Sequence, residues 1–131
     1  MTRFQATFLG LVATQAAHSI EEYFGRIYEV FPPAHFVSGL ISHDLQLGFI
    51  IFNVALVAFG VWCWLSPVRR RSPLLVTVIW FWIVLELVNG MGHLLWSIHE
   101  MRYTPGTATA PVLLVLAIVL SRQVGRQRAP V

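Results

Sequence analysis

The sequence predicts an all-α fold: a four-helix transmembrane bundle with both termini cytoplasmic, forming a single integral membrane domain over residues 1–131. Three observations carry that expectation. The chain is 56% hydrophobic and only 11% charged, whereas soluble domains carry about 25% charged residues; its mean hydropathy is +0.69. Four segments come near or exceed the ~17–25 residues that a helix needs to cross hydrocarbon. The arginines alternate between them in a way that sets one orientation.

The first span covers residues 4–24 and is weakly hydrophobic, because Gln5, Thr7, Thr14 and Gln15 interrupt it. Those interruptions, with Arg3 as the lone leading charge, argue against a cleaved signal peptide despite the small residues Ala16 and Ala17. The second span, residues 45–66, is strongly apolar and follows Asp44, an acid that suits the positive end of a helix. The third, residues 73–99, is long. The fourth, residues 107–121, is the most apolar and the shortest. Pro32-Pro33, Ser66-Pro67, Ser72-Pro73 and Pro105-Gly106 punctuate the connections.

The formal net charge of +3 is unevenly placed. Arg3, Arg69–Arg71 and the tail of Arg122, Arg126 and Arg128 all fall on one side of a four-span arrangement. That side should be cytoplasmic, as in a bacterial-type inner membrane. Arg26 and Arg102 fall on the other side, in outer loops at residues 23–44 and 100–106. Because the basic residues flank hydrophobic segments, they read as topology signals, and no nucleic-acid partner is expected. Cys63 is the only cysteine, so no internal disulfide forms and thiolate metal sites are excluded.

Against this background two polar clusters stand out. His18, Glu21 and Glu22 lie in the first span, and Glu86, Asn89 and His93 in the third. Each ionisable side chain at membrane depth costs roughly 2.5–3.5 kcal/mol on insertion scales. Thr14, Gln15, His18, Glu21 and Glu22 are related by helical steps and share a face, as do Glu86, Asn89 and His93. His43, Gln46 and Asn53 fall roughly together on the second span. Measured from the outer ends of their helices, His18 and His93 agree in depth to within roughly 6 Å, with Glu86 about 10 Å deeper. The clusters therefore read as one site in the outer half of the bundle, facing the non-cytoplasmic side. The fourth span, with only Thr107 and Thr109 as polar groups near its outer end, is expected mainly to close the bundle.

Imidazole and carboxylate without thiolate suit zinc or iron, with manganese and copper also compatible. His18, Glu21, Glu22, Glu86, Asn89, His93 and His43 are the candidate metal-site residues. Three carboxylates fall one short of the di-iron bundle pattern, so one ion is at least as well supported as two. The order His-x-x-Glu-Glu resembles the inverted zinc-protease motif, but its last histidine is glutamate here, and no peptidase activity is carried over. The plainer alternative is interhelical hydrogen bonding, which holds many polar residues in membrane bundles. His35 and Glu29 in the outer loop, and His99, off the Glu86–His93 face, belong with that plainer group, as do the interfacial Trp62, Trp64 and Trp96.

His18-Ser-Ile-Glu21-Glu22, Asn89-Gly-Met-Gly-His93 and Tyr103-Thr-Pro105-Gly106 together resemble the H-x-x-E-E, N-x-x-x-H and Y-x-P-G motifs of the HXXEE-domain family, in order and over most of the chain. The resemblance implies a small integral membrane protein with a shared polar site, and no particular reaction. It adds Asn89, Tyr103, Pro105 and Gly106 as site candidates; Glu86 enters by spacing alone.

The leading functional expectation is a metal-dependent enzyme acting on a lipid or other lipophilic small molecule. Glu22, Glu86 and Tyr103 are its candidate catalytic residues. Metal-free acid–base isomerisation of a lipid is the first alternative. A haem-binding electron carrier using His18 and His93 is the second, and a transporter subunit, which would need a homo-oligomer, the third.

Overall fold

The computed structural model describes residues 1–128, with side chains to Gly125; Arg126 and Arg128 of the basic tail therefore lie outside the described side chains. The fold is all-α. Helix α1 (Arg3–Phe24) starts at a capping box, in which Gln5 N donates to Thr2 Oγ1 and Thr2 N to Gln5 Oε1. Asp44 caps α4 (Leu45–Cys63) by accepting from Leu47 N. Helices α5 (Leu75–Glu100) and α6 (Ala110–Arg128) complete the bundle.

The connection after α1 departs from the expected loop. It holds two short helices, α2 (Ile27–Val30) and α3 (Pro32–Ile41). Pro32-Pro33 starts a helix here, because proline has the right φ for the first helical position and lacks an amide that would go unbonded there anyway. Ser66-Pro67 likewise does not end its span. The chain continues through a π-helical turn at Trp64–Val68 that contains Pro67, a widened turn that absorbs the missing donor. Helix α6 begins at Ala110 and runs on to Arg128, beyond the expected 107–121.

The long helices alternate in direction. α1 packs on both α6 and α4, and α6 packs on α5. The bundle is divided along its axis by chemistry. One half is an apolar core with Phe8, Leu11, Ile79, Trp82, Ile83, Leu113 and Leu120 fully buried. Phe8 meets the Trp82 ring edge-on, with centroids 6.1 Å apart. The other half buries Gln15, His18, Ser19, Glu22, Asn53, Glu86 and His93.

Among the described residues, two helical segments are long and apolar enough to cross a membrane, Leu45–Val68 and Leu75–Glu100. α6 contributes a shorter apolar stretch, Ala110–Gly125. The polar inward face of α1 dilutes its hydropathy. A four-span arrangement is thus not established by length and composition.

Candidate metal centre

Two helices bring the centre together. On α1, His18 and Glu22 are one turn apart and face inward; on α5, His93 arrives at the same level. The His18 and His93 rings meet edge-on, with centroids 4.6 Å apart. His93 Nε2 lies 2.9 Å from Glu22 Oε1, and His18 Nε2 lies 3.4 Å from the same oxygen. One ligand atom from each of the three residues lies within 4.8 Å of the others, so the cluster could hold a metal ion. Ligands held about 2.0–2.1 Å from a tetrahedral ion stand about 3.3 Å apart, close to the 2.9 and 3.4 Å between Glu22 and the two imidazoles.

The far side of each imidazole is committed. His93 Nδ1 lies 2.8 Å from the Pro105 carbonyl oxygen. A carbonyl only accepts, so Nδ1 carries the proton. His18 Nδ1 lies 2.6 Å from Thr109 Oγ1. That hydroxyl donates its own proton to Glu21 Oε2 at 2.6 Å, so it accepts from His18. In neutral imidazoles both Nε2 lone pairs then point at Glu22 Oε1. His18 Nε2 is buried and has no hydrogen-bond partner among the described residues. Outer-sphere partners of this kind fix the tautomer and orientation of metal-binding histidines.

Glu21 is placed elsewhere. It sits one residue before Glu22, about 100° round the helix, and turns to the start of α6. Oε1 accepts from Gly106 N and Ala108 N, both at 3.0 Å, and from Tyr103 Oη at 2.6 Å. Oε2 accepts from Thr109 N at 3.0 Å and from the Thr109 hydroxyl. This is anion binding at a helix N-terminus, with a side chain as the anion. The hydrogen bond to Glu21 is the main reason the Tyr103 hydroxyl ionises only at about 12. Helix α6 therefore does more than close the bundle: the residues at its start orient Glu21 and, through Thr109, His18. Thr109→Val is expected to destabilise the protein by about 1–3 kcal/mol, since it strips a hydrogen-bond partner from the half-buried Glu21 and from the buried His18. Thr109→Ser should restore most of that loss, and thermal unfolding in detergent reads the difference.

The remaining predicted site residues are dispersed. Glu86 is fully buried two turns from His93. Oriented by its neighbours, the Gln15 amide donates to both Glu86 oxygens, at 3.1 and 3.0 Å, and its oxygen lies 3.1 Å from Ser19 Oγ. Ser19 in turn donates to Asn53 Oδ1 at 2.7 Å. Asn89 Nδ2 lies 3.4 Å from the Gln15 amide. His43 is exposed between α3 and α4, away from the cluster. His99 and His35 are exposed as well.

A cavity of about 440 Å³ lies beside the cluster, with Glu22 and His93 in its wall. Gln15, Asn53 and Asn89 also line it, and the rest is mostly hydrocarbon, including Phe31, Val37, Phe49 and Leu56. Phe31 tilts over His93, with centroids 5.7 Å apart, and stacks on Trp96.

The sequence reading did not single out Thr109 as a partner of His18, the Pro105 carbonyl, or the Gln15–Ser19–Asn53 chain. Thr109 carried a usable signal, since it stands at a helix start where hydroxyl residues cap; the carbonyl carried none. Comparison with family models, curated proteins and solved structures gave no match.

Proposed function

We propose that this chain is an integral membrane protein, a bundle crossing the bilayer with α1, α4, α5 and α6, and that it is a metal-dependent enzyme acting on a lipophilic substrate. The observation that carries the chemical part is the convergence of His18 Nε2, His93 Nε2 and Glu22 Oε1. With both Nδ1 atoms engaged, three electron-rich atoms face one another in a buried space, and a cation between them resolves their repulsion. Three protein ligands are the complement of a catalytic ion that keeps one position open. The donor set favours zinc or iron. A bound divalent cation would supply Lewis acidity to a polar group in the adjoining cavity.

The chain's own groups then have separate tasks. His18, His93 and Glu22 hold the ion. Asn89 lines the cavity and is placed to orient a substrate oxygen. Glu86, absent from the cavity wall, acts through Gln15. Tyr103 acts by positioning Glu21 and, through Thr109, His18.

Large exposed apolar side chains support the membrane placement. They continue along α4 (Ile51, Val54, Trp62), α5 (Phe81, Val84, Leu95) and α6 (Val112, Val115, Ile118), far beyond the patches that soluble monomers expose. Arg3, Arg69–Arg71 and Arg122 gather at the apolar-core end of the bundle, which supports a cytoplasmic placement for that end and an outer-leaflet placement for the centre. Membership of the HXXEE-domain family is part of the same proposal, because His18, Glu22, His93, Pro105 and Gly106 of the three motifs meet at one point.

Elemental analysis of the purified protein tests this reading: one divalent metal per chain is expected in wild type, and close to none in His18→Ala. Wild-type protein without stoichiometric metal defeats it. One distance favours a second reading. At 2.9 Å, His93 and Glu22 can share a proton directly, which would serve metal-free acid–base isomerisation of a lipid. Activity on such a lipid that survives chelators would select it.

A further inference from the structure

Helices α4 and α5 meet at one end, where Gly60 lies against the Trp82 ring. Toward the other end the cavity lies between them, with α3 along its side. Its surfaces differ in chemistry. The groups turned toward α1 are polar: Asn53 is bonded to Ser19, and Asn89 lies beside Gln15. The outward surfaces are hydrocarbon, and two of their residues also face away from the bundle. Phe52 is 39% exposed and Val88 69% exposed. The cavity thus opens sideways, between the two helical segments that are long and apolar enough to cross a membrane. Its 440 Å³ is near the lower end of the ~300–1,000 Å³ of small-molecule sites. That size suits one hydrocarbon chain and is tight for a two-chain lipid.

We infer that the cavity binds a single-chain lipid that slips in sideways from the bilayer between α4 and α5. Its small oxygen-bearing head lies at Glu22, His93 and Asn89, and its chain runs out past Phe52 and Val88. This rests on the membrane placement proposed above and not on the metal. Two features fix the orientation. The Asn89 amide and Glu22 lie on the inner side, where Asn89 can donate to a head-group oxygen and the Glu22 carboxylate can accept from a head-group hydroxyl. The outer side has only hydrocarbon to offer, which matches a chain and the bilayer beyond it.

Gly92 provides a direct test. It lines the cavity, and a Cβ built there meets nothing within 4 Å. A side chain at this position therefore starts into the cavity with no clash at its Cβ, and a phenylalanine fills space the lipid would need. The probe is a long-chain alcohol with a diazirine in its chain, photolysed with the full-length protein in phospholipid nanodiscs and mapped by peptide mass spectrometry. Labelling is expected to concentrate on the segments Phe49–Leu56 and Leu85–Gly92. It should fall at least about tenfold in Gly92→Phe, about 1.4 kcal/mol in binding terms, and stay near wild type in Gly92→Ala. Val88→Trp, at the mouth, is expected to reduce labelling as well and serves if Gly92→Phe does not fold. Val115→Ala, on the outward face of α6 and outside the cavity lining, should leave labelling within about twofold. Labelling spread evenly over outward residues such as Val115 and Ile118, or undiminished by both Gly92→Phe and Val88→Trp, overturns the inference. Confined labelling in a protein that holds no metal supports the lipid site while defeating the metal reading.

Discussion

His93→Ala and Glu22→Gln are each expected to weaken divalent-cation binding by at least about 100-fold, the upper range for disturbing even an outer-sphere partner. Both residues contribute an atom to the convergence point, and each is nine-tenths or more buried, so no solvent-facing group can swing in to replace it. The two variants differ in what they leave behind. His93→Ala also removes the 2.9 Å partner of a buried carboxylate and should cost about 1–3 kcal/mol of stability. Glu22→Gln keeps the shape and removes only the charge, so its loss should appear in affinity with little change in unfolding temperature. Competition against a chromogenic chelator measures affinity. His43→Ala and His99→Ala, both exposed and remote from the cluster, are the controls and should bind as wild type. Equal affinity in wild type and His93→Ala would remove the cluster from consideration as a metal site.

Gly106→Ala is expected to be strongly destabilising for the addition of a single methyl. Gly106 has φ +91°, a conformation that side-chain-bearing residues rarely adopt. A Cβ there would stand 2.5 Å from both Cε1 and Nδ1 of His93 and 2.8 Å from His18 Cε1. The added methyl would displace both imidazoles at once and pull on the Pro105 carbonyl that holds one of them. Backbone strain of about 1–2 kcal/mol and overpacking of about 1–3 kcal/mol act together here, so a loss of about 2–5 kcal/mol is expected. Thermal unfolding in detergent reads that loss, and cation affinity should fall with it. A Gly106→Ala protein with wild-type stability and affinity would mean that the loop before α6 does not form the lid of the site.

Much of this was legible in the sequence for physical reasons. The long helices announce themselves through sustained apolar composition, and their polar members fall at helical spacing. His18, Glu22 and His93 could be brought together on paper because spacing gives the face and distance from the helix end gives the depth. Glu21 and Glu22 could not be told apart, since adjacent residues differ by only about 100° of rotation. Which one looks at His93 depends on how α1 is turned against α6, and that is set by the amides of Gly106, Ala108 and Thr109. Backbone groups leave no trace in side-chain patterns, and the Pro105 carbonyl is invisible for the same reason. The helices α2 and α3 were hidden because a proline pair marks a break and a helix start equally well. His43 belonged to a plausible face only if α4 began before it; the Asp44 cap places it outside.

X-ray absorption at the metal edge of the zinc-loaded protein tests the central claim most directly. The arrangement of His18, His93 and Glu22 predicts a first shell of nitrogen and oxygen at about 2.0–2.1 Å, without sulfur. It also predicts the outer-shell scattering of two imidazole rings, reduced to one in His18→Ala. Failure to take up one zinc per chain, or a shell of oxygen without imidazole, would contradict it.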